Sequence, residues 1–170
     1  MRLRHSILGA FAAIFLTSSA ALAGTGFSTI LTGSAEVPPN SSAATGACTA
    51  VLNDAGTQVI FSVAFQNLGT AYTASHFHAA AAPGANAGVT FGFSGVAAGW
   101  VFSNGNKDGT LTNAVWNLSA TQKSNLLAGL TYVNIHTSGL PGGELRGQLL
   151  QDQSVPTKNT SWGRMKALYR

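Results

Sequence analysis

Short segments of alternating apolar and polar residues, separated by turn-forming residues, constrain the fold of this chain more than any other feature. In residues 57–65 the large apolar side chains occupy every second position: Val59, Phe61, Val63 and Phe65. A period of two predicts a strand with one buried face. An Asn-Asp-Ala-Gly turn at residues 53–56 separates this segment from residues 45–52 and predicts a hairpin between them. The 20 glycines among the 170 residues also favour frequent turns over a helical bundle.

One segment, residues 119–129, instead predicts a helix. Ser119 and Gln122 form an S-x-x-Q capping box at its start, and Gly129 is placed to end it. The rest of residues 27–150 divides into about eight short strands bounded by turn residues. The sequence therefore predicts an all-β fold, an antiparallel sandwich or barrel with one short helix.

Residues 1–23 have the pattern of a secretory signal peptide. Arg2 and Arg4 precede an apolar run over residues 7–16, and the segment ends in Ala-Leu-Ala. The apolar run is too short for a spanning helix, so we expect cleavage before Gly24 rather than a retained membrane anchor. We therefore predict an exported protein that is periplasmic, extracellular or bound to the cell surface.

Cys48 is the only cysteine of the chain. An exported domain with one cysteine cannot form an internal disulfide, so its apolar core must stabilise it. Cys48 lies in one of the alternating segments, at a position typical of a small buried apolar side chain. We therefore predict a packing role for this thiol.

The basic charge of the chain lies mainly at its two ends. The formal net charge is +4, to which residues 1–23 contribute +2 and residues 151–170 contribute +3. Residues 24–150 carry three basic and four acidic side chains, a net charge of −1. Three scattered basic residues provide no groove for a phosphate backbone, so nucleic-acid binding is excluded.

The C-terminal region differs in composition from the rest of the chain. Residues 151–160 form a polar linker that contains a proline, and residues 161–170 form a basic amphipathic tail. In the tail, Trp162, Met165 and Leu168 recur at helical spacing between basic residues. Such a tail could contact a membrane surface, the translocation or sorting machinery, or the domain itself, or it could be mobile. The sequence leaves these alternatives open.

Four segments of the chain, in this order, resemble a known family. They are residues 31–39 (LTGSAEVPP), 76–78 (HFH), 127–137 (LAGLTYVNIHT) and 141–149 (PGGELRGQL). They resemble the CHRD domain, which is repeated in the developmental protein chordin and occurs as a single copy in many exported bacterial proteins. The resemblance covers about residues 27–150, here taken as a domain over residues 24–150, and implies an immunoglobulin-like or related β-sandwich. It implies no enzymatic activity, and chordin itself binds secreted growth factors.

The scarce polar side chains of the central region concentrate on one predicted face of the sheet. On three predicted strands, residues two apart in sequence point to the same side. These residues are His76 and His78, then Tyr132, Asn134 and His136, then Glu144, Arg146 and Gln148. A hairpin between the second and third strands would place Asn134 and His136 beside the polar residues of the third.

A metal site is one interpretation of this cluster. His76, His78 and His136 could supply three imidazoles to copper or zinc, with Glu36 or Glu144 as a fourth ligand or as a partner of a ligand. The spacing also distantly resembles copper/zinc superoxide dismutase, which makes a dismutase-like Greek-key sandwich an alternative architecture. That enzyme needs more histidine ligands and a disulfide, so dismutase activity is not expected.

A structural network is the other interpretation. Asn134, Glu144 and Arg146 would then form buried polar contacts, with Glu144 paired to Arg146 and the histidines bonded to backbone groups. We therefore predict a non-catalytic binding or structural module for a protein or cell-surface partner that the sequence does not identify. A periplasmic or extracellular copper- or zinc-binding protein is the alternative prediction.

Overall fold

A computed structural model of the chain describes residues 24–93 and 99–152. The predicted signal peptide (1–23), the predicted tail (161–170) and most of the predicted linker (151–160) lie outside these residues. In the described ranges, no helix is long and apolar enough to cross a membrane.

The described residues form ten strands and one α-helix. The strands are β1 (Gly24–Thr32), β2 (Thr45–Asn53), β3 (Gln58–Gln66), β4 (Tyr72–His78), β5 (Val89–Gly92), β6 (Trp100–Ser103), β7 (Asp108–Asn117), β8 (Tyr132–Thr137), β9 (Leu145–Gln148) and β10 (Leu150–Gln151). The helix, α1 (Ala120–Leu127), lies between β7 and β8. Every strand pairing is antiparallel, so the prediction of an all-β fold with one short helix is confirmed.

The strands form one continuous sheet in the order β5-β4-β8-β9-β1-β2-β3-β7-β6, with β10 beside β1. The sheet curls back on itself. β3 and β4 are far apart in this order, yet Phe61 of β3 and Phe77 of β4 pack with ring centroids 4.9 Å apart. Its two halves thus face each other across a core, as in a sandwich. They remain joined where Thr32 of β1 pairs with Arg146 of β9, so they are not two separate sheets.

The core between the two halves is apolar and rich in aromatic side chains. Its largest members are Phe27, Phe61, Phe77, Phe93 and Trp116. Burial of such side chains is the main favourable term in folding. Cys48 packs in the same core, where burial raises the pKa of its thiol to about 12. The predicted packing role of Cys48 is therefore confirmed.

Local side-chain bonds explain two of the predicted elements. In the β2–β3 turn, the Asn53 side-chain oxygen accepts a hydrogen bond from the Thr57 backbone N–H (2.9 Å), and Gly56 has a positive φ of 67°. At the start of α1, the Gln122 backbone N–H donates to Ser119 Oγ (3.3 Å), and the Ser119 backbone N–H donates to Gln122 Oε1 (2.8 Å). The predicted hairpin and capping box are both present.

The sheet continues two residues into the segment predicted as a linker. Gln151 of β10 pairs with Phe27 of β1. The Asp152 backbone N–H donates to the Gly26 carbonyl (2.9 Å), and its carboxylate accepts a hydrogen bond from Ser28 Oγ (2.5 Å). The folded domain therefore extends to Asp152.

Candidate metal centre

The three histidines of the domain lie on the adjacent strands β4 and β8. In the antiparallel register of these strands, His78 is opposite Tyr132, His76 is opposite Asn134 and His136 is opposite Ala74. Directly opposed residues point to the same side of a sheet, so the three imidazoles share one face. Phe77 and Val133, which alternate with them, belong to the core. The predicted clustering of His76, His78 and His136 is thus present on the face turned away from the core.

The imidazoles are close enough to approach one ion. Each offers a ring nitrogen, and these three nitrogens lie within 4.8 Å of one another. The ring centroid of His76 is 4.9 Å from that of His136 and 5.5 Å from that of His78. Two nitrogens that bind one tetrahedral ion at about 2.0 Å each are about 3.3 Å apart. The distances between the nitrogens of the three histidines would therefore have to shorten by at most about 1.5 Å for the cluster to bind an ion.

Hydrogen bonds to backbone carbonyls fix the tautomer of two of these rings. Nδ1 of His78 lies 3.0 Å from the Ala87 carbonyl oxygen, and Nδ1 of His136 lies 3.0 Å from the Pro141 carbonyl oxygen. A carbonyl only accepts hydrogen bonds, so each Nδ1 carries the proton and each Nε2 keeps its lone pair. Both Nε2 atoms are buried and have no hydrogen-bond partner among the described residues. Metal-binding histidines are typically oriented by such a bond at the other nitrogen.

His76 makes no side-chain hydrogen bond within the described residues, and its Nδ1 is also buried without a partner. Burial, together with the neighbouring His136 and His78 rings, lowers the pKa of His76 to about 4. Burial likewise lowers the pKa of His78 and of His136. The lowered pKa values favour the neutral form of all three imidazoles, which is the form that binds a metal ion.

An aromatic stack supports the cluster on the side of His78. The Tyr132 ring stacks on the His78 ring with centroids 4.8 Å apart and an interplanar angle of 5°. The Arg146 guanidinium carbon lies 3.6 Å from the centroid of the same Tyr132 ring. Arg146 comes from β9 and His78 from β4, the strands on either side of β8. This stack therefore links three adjacent strands and restricts the orientation of the His78 ring.

The loop after β4 covers this stack and is held by side chains of the sheet. Arg146 donates hydrogen bonds from Nη1 to Asn86 Oδ1 (2.9 Å) and from Nη2 to the Ala85 carbonyl (2.6 Å). The Ala87 backbone N–H donates to the Tyr132 hydroxyl (3.2 Å). The Ala87 carbonyl that orients His78 is therefore positioned by Tyr132 and Arg146.

Glu36 lies beside Asn134, outside the group of converging nitrogens. Asn134 Nδ2 lies 3.4 Å from Glu36 Oε2, while Glu36 Oε1 and Asn134 Oδ1 are buried without partners. Burial raises the pKa of Glu36 to about 7, although the Arg146 charge and the hydrogen bonds of the carboxylate oppose this shift. Both side chains pack against Gly143, where φ is +135° and a Cβ atom would overlap them.

Glu144 is neither beside the histidines nor paired with Arg146, the two positions that the sequence predicts for it. Its Oε1 accepts hydrogen bonds from the Gly69 backbone N–H (2.7 Å) and Ser42 Oγ (2.7 Å), and its Oε2 accepts one from Thr137 Oγ1 (2.8 Å). It thus joins two loops to the end of β8, and it neither pairs with Arg146 nor contacts the histidines. The prediction was wrong because β9 begins one residue later, so strand alternation does not extend to Glu144.

A family model for the CHRD domain matches residues 27–149. The chain belongs to the CHRD family. The resemblance carried by the four sequence segments is thereby confirmed, and all three clustered histidines lie inside the matched CHRD region. No curated protein and no solved structure matches the chain.

Two contributors to the histidine cluster have no direct signal in the sequence. The carbonyl groups of Ala87 and Pro141, which orient two imidazoles, lie in loops and carry no side-chain pattern. Tyr132, in contrast, shares the strand face of Asn134 and His136, as the alternation of residues in the sequence predicts. The contacts of the Tyr132 ring with His78 and Arg146 depend on how β4, β8 and β9 are aligned, so the sequence of a single strand does not predict them.

Proposed function

We propose that this CHRD domain is an exported module that binds one copper or zinc ion through His76, His78 and His136. One observation carries the proposal, the convergence of three neutral imidazoles that each keep a buried nitrogen without a hydrogen-bond partner. Imidazole nitrogen is a ligand that suits both copper and zinc. The function is binding, and no reaction is proposed.

A purely structural role for the histidines explains less of this geometry. Backbone carbonyls satisfy Nδ1 of His78 and of His136, but the opposite nitrogen of each ring is left unpaired in a buried position. A buried polar atom without a partner costs about 1–3 kcal/mol. One ion would give all the unpaired nitrogens a partner at once. Membership in the CHRD family is consistent with a binding or structural module in general.

A metal titration of the purified protein tests the proposal. We expect an uptake of about one equivalent of Cu(II), Cu(I) or Zn(II), measured by elemental analysis after gel filtration. The double substitution His78→Ala plus His136→Ala should abolish this uptake, because it removes two of the three ligands.

A matched control distinguishes loss of ligands from loss of structure. Gln58 and Asn117 form an exposed side-chain hydrogen bond of 3.0 Å between β3 and β7, away from the histidines. The double substitution Gln58→Ala plus Asn117→Ala should leave metal uptake unchanged. If the histidine double variant folds and still takes up one equivalent, the proposal is wrong.

A further inference from the structure

The ligands that converge in the histidine cluster carry no negative charge. Of the side chains that could supply an anion, Glu36 contacts Asn134, Glu144 is bound by three donors elsewhere, and the Cys48 thiol lies in the core. The group of converging ligand atoms, among the described residues, consists of three imidazoles. An ion bound there keeps its full positive charge in a partly buried position, which favours an ion of low charge.

A fixed positive charge lies close to the cluster. Arg146 is 2% exposed, and its guanidinium lies against the same Tyr132 ring that stacks on the His78 imidazole. The guanidinium repels any bound cation, and it repels a divalent cation twice as strongly. For two unit charges about 8 Å apart in a medium of effective dielectric constant about 20, the repulsion weakens binding by roughly 30-fold for each unit of charge, which gives the order of magnitude of the effect.

The three nitrogens without a hydrogen-bond partner have little contact with water. Nδ1 of His76 and Nε2 of His78 and of His136 have essentially no solvent contact. Zinc with three protein ligands normally takes a water molecule as its fourth, and Cu(II) prefers a tetragonal arrangement with further ligands. Cu(I), a closed-shell ion of low charge, is stable with three nitrogen ligands and needs no water.

The uncharged ligands, the nearby Arg146 charge and the three-ligand arrangement distinguish between the copper and zinc ions that the proposed function allows. Resting on that function, we infer that the site binds copper as Cu(I), in preference to Cu(II) and Zn(II). The neutral ligand set and the Arg146 charge disfavour divalent ions, and the lack of a fourth converging side chain among the described residues disfavours ions that need a fourth ligand. Arg146 acts here as a positioning residue that also sets the preferred charge of the ion.

Competition titrations of the purified protein test this inference. Under anaerobic conditions, Cu(I) is titrated against a chromophoric Cu(I) chelator, and Cu(II) and Zn(II) are titrated separately against chelators of known affinity. We expect the lowest Kd for Cu(I), and an X-ray absorption edge of the copper-loaded protein typical of three-coordinate Cu(I). Equal or tighter binding of Cu(II) or Zn(II) would overturn the inference but leave the proposed function standing. Failure to bind any of the three ions would overturn the proposed function as well.

Substitutions of Arg146 test the contribution of its charge separately. In Arg146→Gln the ratio of the Cu(II) Kd to the Cu(I) Kd should fall by roughly 30-fold, whereas Arg146→Lys retains the charge and should keep the ratio close to that of the unmodified chain. An unchanged ratio in a folded Arg146→Gln protein would overturn the role of Arg146. The comparison of ions in the unmodified chain remains decisive even where a variant does not fold.

Discussion

The two nitrogens of an imidazole can serve different purposes, and His78 and His136 illustrate this division. In each ring Nδ1 donates to a backbone carbonyl at 3.0 Å, and Nε2 has no partner among the described residues. The structural and metal-binding interpretations of these histidines are therefore compatible, because they concern opposite nitrogens. The first is observed directly, and the second is our proposal.

A substitution of His76 separates metal binding from stability, because its side chain makes no hydrogen bond within the described residues that would be lost. In His76→Phe we expect metal affinity to fall at least 10-fold, because one of the proposed ligands is gone. The free energy of unfolding of the metal-free protein should stay unchanged or rise by up to about 1 kcal/mol, since an unpaired buried nitrogen is replaced by apolar surface. Metal titration and urea unfolding measure the two effects, and unchanged metal affinity would contradict the proposed ligand role.

Glu36 gives the stability of the domain a distinct pH dependence. Its pKa is about 7 in the folded protein, against 4.5 for an exposed glutamate. Between these values the folded protein keeps a proton that the unfolded chain has released, so the Glu36 contribution to the free energy of unfolding decreases as pH rises. Glu36→Gln removes this contribution, and the variant should gain about 1–3 kcal/mol relative to the unmodified protein between pH 4.5 and pH 7.

Denaturant unfolding of both metal-free proteins at several pH values measures this difference. Other titrating groups are shared by the two proteins, so they cancel in the comparison. Parallel pH profiles for the two proteins would show that Glu36 titrates as an ordinary exposed carboxyl.

At the scale of elements, Glu144 holds loops together rather than joining the site. Its carboxylate accepts hydrogen bonds from residues before β2, after β3 and at the end of β8. Glu144→Gln replaces one acceptor oxygen with a donor, which leaves a buried donor unpaired and should lower the free energy of unfolding by about 1–3 kcal/mol. Metal affinity should not change, because no proposed ligand contacts this carboxylate.

The same pair of measurements, denaturant unfolding and metal titration, checks the Glu144 prediction. His76→Phe is the natural counterpart, because it should affect metal affinity and spare stability. Loss of metal binding at unchanged stability in Glu144→Gln would instead place Glu144 among the ligands.

Sequence alternation was sufficient to predict which residues of β8 and β9 lie opposite one another. Asn134 pairs with Arg146 as the predicted hairpin requires. Sequence alternation did not predict the position of the Glu144 side chain. The start of β9 depends on the turn before it, in which Gly143 has a positive φ of 135°. The bonds from Arg146 to the covering loop were likewise not predictable, since that loop has no periodic pattern.

At the scale of the whole molecule, the sequence predicted the fold class but not the continuity of the sheet. Alternating segments and turn residues indicate strands, and strands of this kind pack as two layers. β1 is linked to β9 by the pair Thr32 with Arg146 and to β10 by two further pairs, and these short pairings leave no pattern in the sequence. The curled sheet places β4, β8 and β9 side by side, and this arrangement brings the histidines and Arg146 together.

Anomalous diffraction from crystals grown with copper tests the proposed site most directly. We predict one copper peak per chain, about 2.0 Å from a ring nitrogen of His76 and from Nε2 of His78 and of His136. A copper peak at other residues, or no peak at the three imidazoles in copper-saturated crystals, would contradict the proposal that these histidines bind the ion.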